Sequence, residues 1–340
     1  MRYFITGARG FVMSVFIKRI LDKFPQASIT AIDVSKPDDL LICYLGPDVH
    51  RVDFHQMDIR DQDAIEAVLT VAQPEVVIHG ATVTHVPEWE EVDPSRYIDV
   101  NVMGTVRLME AVRKSSCVRR IVHASSAAVY GGGKGVENPI PERAPTMPDE
   151  MYGISKTAAE MIVNRYGELY NLETPTARFT KVFGPMERPS PGRASMSLPF
   201  HLASAVVSGS PVTLSERSMH ASGDWISAVD VAEALVTLSS AEQVRSTTYH
   251  LASGILTPVK DLIAMFDAEA ILALADKADV DLDPDSISGK NGAYQISSAR
   301  QDLNWIPRPL SEQISEYIEW FRNNPDVLAP HLKPSASQGK

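Results

Sequence analysis

An α/β fold, a doubly wound parallel sheet carrying a smaller C-terminal domain, is what this sequence predicts, and three observations predict it. Short apolar runs alternate with longer amphipathic stretches through the first 180 residues, which is the pattern of strands connected by crossover helices. The first apolar run passes directly through a glycine turn into a helical stretch. A later run delivers two serines at its carboxyl end, where open α/β sheets place their ligands.

The first strand is Arg2-Tyr3-Phe4-Ile5-Thr6, and the turn after it is Gly7-Ala8-Arg9-Gly10. The helix that follows carries Phe11, Val12, Val15, Phe16, Ile20 and Leu21. Such a turn aims backbone N–H groups and a helix dipole at a pyrophosphate, and a Cβ at Gly7 or Gly10 would hold the backbone away from it. This places a dinucleotide at Gly7, Arg9, Gly10, Phe11 and Val12, in a Rossmann-type half. Met13 stands where a third glycine would let helix and strand approach closely, and its flexible thioether is expected to fill a wider gap.

The second strand, Ile29-Thr30-Ala31-Ile32, ends on Asp33. A carboxylate there accepts from the adenosine ribose hydroxyls and repels a 2′-phosphate, so NAD is expected over NADP. Arg9, a cation inside the turn, points the other way. A third strand is predicted from Val52 to Asp58, then a helix from Gln62 to Val71. Glu75-Val76-Val77-Ile78-His79 is a buried type of strand leading into Gly80-Ala81-Thr82, a small-residue loop suited to run beneath a dinucleotide. His79 reads as a satisfied core histidine; His85, past the strand end, is a candidate for the substrate.

A continuous helix is predicted from Ser95 to Lys114, with Asn101 within it. The strand Arg119 to Ala124 then presents Ser125 and Ser126. Tyr152 and Lys156 lie four residues apart in a helical stretch, so phenol and ammonium share one face. A neighbouring cation favours the phenolate, which makes Tyr152 a candidate proton donor and acceptor for a carbinol or carbonyl.

Composition sets bounds. At 340 residues, 44% apolar and 22% charged, the chain is of ordinary globular type. A formal charge of −11 implies no basic face for nucleic acid or an acidic membrane. No apolar run reaches the roughly 20 residues of a membrane span, and no signal-peptide pattern is present, so a cytoplasmic protein is expected. Cys43 and Cys117 lack metal-type spacing and are expected as small core residues; no metal is predicted.

These stretches together resemble the extended short-chain dehydrogenase/reductase family, the NAD-dependent epimerases and dehydratases. The likeness runs from Met1 to about Trp320. It rests on Thr6-Gly7-Ala8-Arg9-Gly10-Phe11-Val12, Asp33, Asp58-Ile59-Arg60-Asp61, His79-Gly80-Ala81, Asn101-Val102-Met103-Gly104-Thr105, Ser125-Ser126-Ala127-Ala128-Val129-Tyr130-Gly131, Tyr152-Gly153-Ile154-Ser155-Lys156 and Phe183-Gly184-Pro185. The resemblance implies that Tyr152 is the general acid/base, that Lys156 lowers its pKa and binds the nicotinamide ribose, and that Ser126 holds the reacting oxygen. It implies adenine contacts at Asp58 and Ile59, cofactor proximity for Asn101 and Thr180, and a homodimer.

Two departures bear on the substrate. Where sugar dehydratases of this family carry acid–base carboxylates, this chain has Ala127 and Ala128, which argues against dehydration. Lys181 replaces a usual Asn and Gly223 a usual Arg, so two partners of a substrate diphosphate are missing. The Pro-, Gly- and Ser-rich stretch 184–197 is expected to line the site. There Arg193, with Lys181, is the candidate cation for an anionic small-molecule substrate, and Arg188 reads as solvated loop charge. Trp225 stacks on a ring or packs.

The expected division is residues 1–180 for NAD, joined by 224–255, with 181–223 and 256–330 for the substrate and 331–340 as a flexible tail. Helices are predicted at Asp261–Leu274 and Leu310–Phe321. The leading expectation is an NAD-dependent oxidoreductase acting on a secondary alcohol of a sugar-like or hydroxy-acid substrate. An NDP-sugar epimerase with tightly held NAD is the alternative, and a dinucleotide sensor without turnover the third.

Overall fold

In the computed structural model the N-terminal run becomes β1 (Arg2–Thr6), and its partners follow from the alternation of strand and helix. The structure describes residues 1–132, 137–190, 192–276, 278, 280 and 292–327. The expected tail at 331–340 and most of the acidic stretch 276–285 lie outside them.

Seven strands form one parallel sheet. They are β1, β2 (Ser28–Asp33), β3 (Val52–Gln56), β4 (Val76–His79), β5 (Arg120–Ser126), β6 (Thr176–Phe179) and β11 (Thr248–Leu251). The order is β11-β6-β5-β4-β1-β2-β3. It reverses at β1, so the crevice for a ligand opens between the carboxyl ends of β1 and β4. Central strands are buried on both faces, as β4 shows with all four residues covered.

Helices α1 (Phe11–Lys23) and α9 (Ala228–Ser240) cover one face. Phe16, Ile17 and Ile20 pack there with Val231, Leu235 and Leu238. On the other face lie α3 (Gln62–Ala72), α6 (Gly104–Arg113) and α7 (Met151–Tyr170), where Ile65, Leu69, Leu108, Val112 and Val163 share a core. A third apolar cluster gathers Phe183, Phe200, Trp225, Phe266, Tyr317 and Phe321 from the C-terminal half.

Several elements differ from expectation. The strand expected to reach Asp58 stops at Gln56: the Met57 N–H still bonds Asp33 O of β2 at 2.8 Å, but the Asp58 carboxylate then accepts from the Arg60 N–H (2.9 Å) and the Arg60 side chain, which turns the chain away. The helix expected to run unbroken from Ser95 contains a π-turn at Ile98–Met103. Asn101 sits in that wider turn with its amide committed to Val83 O, Val83 N and Ser155 Oγ. Instead of a helix through Leu274, α10 (Val259–Met265) ends early, Asp267 takes φ +54°, and Leu272–Leu274 pairs as β13 with β8 (Val212–Leu214). Cys43 is exposed rather than in the core, since Leu41 and Leu45 take the inner side of its short helix, α2 (Asp39–Leu45).

Met13 does fill a gap, and Gly80 makes that gap. A Cβ on Gly80 would lie 2.5 Å from Met13 Cγ and 2.6 Å from Sδ. His79 is a core histidine, its ring held between Thr6 Oγ1 (2.8 Å) and Thr105 Oγ1 (2.9 Å).

Candidate active site

The crevice at the strand ends holds a cavity of about 370 Å³. One wall is the turn after β1. Gly7 has φ +67°, and a Cβ there would lie 2.7 Å from Ala81 N; a Cβ on Gly10 would lie 2.9 Å from Gly7 O. The start of α1 has no side-chain cap and no acidic residue in its first turn, so its N–H groups face the cavity without an internal anion. Gly7, Arg9, Gly10, Phe11 and Val12 all line this wall, with Gly80 and Ala81 opposite.

Asp33, Asp58 and Ile59 line the end of the cavity beyond β2 and β3. Asp33 accepts from the backbone N–H of Arg9 (3.0 Å) and of Ser35 (2.9 Å). Burial raises its pKa, against those hydrogen bonds. The cradle that glycine opens, the bare helix start and the acid at the end of β2 together fit a dinucleotide.

Ser126, Tyr152, Lys156 and Thr180 line the end nearer β5 and β6. Ser126 ends β5, and its Oγ accepts from Ala128 N at 3.2 Å. Tyr152 and Lys156 stand one turn apart on α7, as their spacing requires. Gly153 between them lets α7 dock, since a Cβ there would lie 2.5 Å from Ala128 O. Burial pushes the Tyr152 phenol up to about 12, while a hydrogen bond with Ser126 works the other way. The Lys156 ammonium donates to Ala124 O at 2.6 Å, and burial pulls it down to about 8.

The segment after β7 (Lys181–Phe183) forms the roof. Gly192 O accepts from both Thr84 N (2.9 Å) and Thr84 Oγ1 (2.8 Å). Arg193 lies over the Phe11 ring at 5.4 Å, and its guanidinium donates to Glu187 at 2.5 Å. Glu187 is fully buried, and its carboxylate also takes Ser197 N and Oγ. Arg188 is not solvated loop charge. Its side chain is 13% exposed and paired with Asp38, which it reaches across the mouth of the cleft.

Four of the sequence candidates do not line the cavity. Asn101 stays behind it, bridging the loop after β4 to α7. His85 turns toward Glu150 (3.3 Å) and Glu90 (3.8 Å). Lys181 lies over the Trp225 ring at 5.7 Å, and both fill the space left by Gly223, whose Cβ would meet Trp225 Cε2 at 2.6 Å and Lys181 Cδ at 2.8 Å. Thr82 lines it from the loop expected beneath the dinucleotide, and Arg188, Ser190 and Gly192 line it from the stretch 184–197 expected to do so, while Thr84 lines it with no signal in the sequence.

Among the described residues no group of His, Cys, Asp and Glu could hold a metal ion, and no helix is long and apolar enough to cross a membrane.

The family model "NAD dependent epimerase/dehydratase family" matches residues 3–252. A UDP-glucose 4-epimerase of Mycolicibacterium smegmatis is 28% identical over 327 residues, covering 95% of this chain and 99% of that protein. A dTDP-glucose 4,6-dehydratase of Neisseria meningitidis is 25% identical, covering 94% of this chain and 93% of its own. The solved UDP-glucose 4-epimerase of Thermotoga maritima with UDP-glucose superposes with a TM-score of 0.81 at 21% identity, covering 95% and 99% of the two chains, and shares the fold.

Proposed function

The chain belongs to the NAD dependent epimerase/dehydratase family, the extended short-chain dehydrogenase/reductases, and from that premise we propose that it epimerises a secondary carbinol of a sugar nucleotide. NAD is the cofactor of the family, and the chain is an enzyme. One observation carries the choice among the family's reactions. The reacting end of the cavity has hydroxyls and an ammonium, among them Ser126, Tyr152 and Lys156, while the carboxylates among the lining residues, Asp33 and Asp58, lie across β4 and β1, at the ends of β2 and β3. Elimination of water needs an acid for the leaving hydroxyl, and Ala127 and Ala128 supply none.

NAD, when bound, supplies a carbon that accepts a hydride and a positive charge near the phenol. Tyr152 takes the carbinol proton, and Ser126 donates a hydrogen bond to the same oxygen as it becomes a carbonyl. A proton transfer placed in this way contributes roughly 10²–10⁴ in rate. The phenol stands at about 12 with Lys156 already one turn away, and the cation that lowers it is Arg193, so the expected lowering by Lys156 is not what this structure gives. The positive charge that NAD would bring is what would favour ionisation of the phenol, and we assign Lys156 to the nicotinamide ribose. Tyr152 then returns the proton when the opposite face of the ring is presented.

The roof supports retention of the cofactor, since Gly192 ties it to Thr84 and Arg188 ties it to Asp38. Arg193, fixed by Glu187 beside Phe11, is the cation we assign to the substrate's anionic group. The aromatic cluster formed by Phe183, Phe200, Trp225 and Tyr317 belongs on this reading to the substrate-binding part. Ile154 and Met161 are exposed on α7, 41% and 68%, a stripe we assign to a second copy of the chain; a monomer in light scattering at micromolar concentration would refute that.

A dehydrogenase with net formation of NADH is the second reading. It is favoured by Gly223, where Lys181 and Trp225 fill the place of a usual diphosphate partner. The test incubates the enzyme and NAD with UDP-glucose, dTDP-glucose, free sugars and sugar acids, following reduced-nicotinamide absorbance and product NMR together. A C4 epimer without stoichiometric NADH supports the proposal. Stoichiometric NADH with an unactivated sugar or hydroxy acid overturns it in favour of the second reading.

A further inference from the structure

Four charged side chains meet at the adenosine end of the cleft. Asp33 spends its two oxygens on the backbone N–H groups of Arg9 and Ser35. Asp38 caps α2 by accepting from Leu41 N at 3.0 Å, and the same carboxylate takes two guanidiniums. Arg9 Nη2 lies 2.6 Å from Oδ2, and Arg188 Nη2 lies 3.0 Å from Oδ1. Arg9 comes from the glycine turn and Arg188 from the roof. Asp33, Arg9 and Arg188 line the cavity, whereas Asp38 stands behind the two arginines. Arg9 Nε and Arg188 Nη1 are buried and find no hydrogen-bond partner among the described residues.

We propose, resting on the NAD reading above, that Asp38 sets the dinucleotide preference of this site by occupying two guanidiniums that would otherwise bind a 2′-phosphate. Two carboxylates and two guanidiniums leave the corner without net charge, which matches a ribose 2′-hydroxyl. A 2′-phosphate would add about −1.5 to −2 charges beside Asp33, with both arginines already engaged. Without the Asp38 charge the corner carries one net positive charge, and two forked donors become free for phosphate oxygens. Arg9, which from sequence alone argued for NADP, is thereby committed to a protein carboxylate.

The test is fluorescence titration of the full chain with NADH and with NADPH. Asp38→Asn is the first variant, because Asn caps a helix as well as Asp does; Asp38→Ser serves if that protein does not fold. NADPH is expected to bind at least about tenfold more tightly to either variant, with NADH changed by less than about threefold. Adding Arg188→Gln to Asp38→Asn is expected to cancel most of the NADPH gain. An unchanged ratio of the two affinities in a folded Asp38 variant overturns the proposal, as does a wild-type protein that prefers NADPH. A folded wild-type protein that binds neither dinucleotide overturns the NAD reading and this inference with it.

Discussion

Met13 and Gly80 share one volume: the thioether on α1 occupies the position that a Cβ on Gly80 would need, 2.5 Å from Met13 Cγ. The close approach of helix and loop that a glycine on α1 would allow is kept here by a glycine on the other partner. Gly80→Ala is therefore expected to cost about 1–3 kcal/mol through overpacking. Met13→Ala in the same chain relieves the clash, so the double variant should be more stable than the sum of the two single changes by roughly 0.5–3 kcal/mol. Urea unfolding of the four proteins measures it, and strict additivity would refute the pairing.

A second test concerns the polar network behind the serines. Glu160 and Arg178 are 6% and 8% exposed and joined at 2.6 Å. Ser125 Oγ donates to Glu160 at 2.5 Å, and Arg178 reaches Tyr130 OH, which contacts His250. Glu160→Gln leaves a buried guanidinium without its counter-ion, at an expected cost of about 3–5 kcal/mol. Glu160→Gln with Arg178→Met should recover much of that. Glu160 also raises the pKa of Lys156, one turn away, so the lysine limb of a pH–rate profile should move to lower pH in the double variant.

How far the sequence alone discloses this molecule differs along the chain. The nucleotide half is legible because its strands and helices are long enough to show a period, and because the glycine turn, Asp33 and the Tyr152–Lys156 spacing each state a local geometric need. The C-terminal half is built from strands such as Trp225–Ser227 and Leu272–Leu274, too short to carry a period, so the latter reads as helix. Arg188 and Lys181 illustrate a second limit. Whether a cation on an irregular segment is solvated, paired or laid on a ring depends on Asp38 and Trp225, partners that only the tertiary fold brings near.

Acid should destabilise the protein through its buried histidines. Burial takes His79 and His250 down to about 3 and His123 well below its ordinary value. Between about pH 6.5 and 3 the unfolded chain binds protons there that the native state refuses, so stability falls as pH drops, by about 1.4 kcal/mol per unit for each histidine. Asp224, held up at about 6 by burial, opposes one of these, since the native state binds its proton first. Urea midpoints between pH 7 and 4.5 should fall accordingly. His123→Phe should flatten the slope by removing one titrating group, with no hydrogen bond lost, since neither ring nitrogen has a partner among the described residues.

The last prediction separates the phenol from the ammonium. Tyr152→Phe removes the group that moves the proton but little of the dinucleotide's surroundings, so turnover should fall by roughly 10²–10⁴ while NADH affinity changes little. Lys156 is pulled down to about 8 by burial, so it loses its charge within the working range as pH rises. With the ammonium goes a positive charge one turn from Tyr152, whose own pKa lies higher at about 12, and the group we assign to the nicotinamide ribose. Turnover at saturating substrate should therefore decline on the alkaline side with an apparent pKa near that of the lysine. Lys156→Arg keeps a charge at every accessible pH, though the guanidinium cannot reproduce the bond to Ala124 O. That variant is expected to be slower throughout yet to lack the alkaline decline, and an unchanged decline would assign the titration to another group.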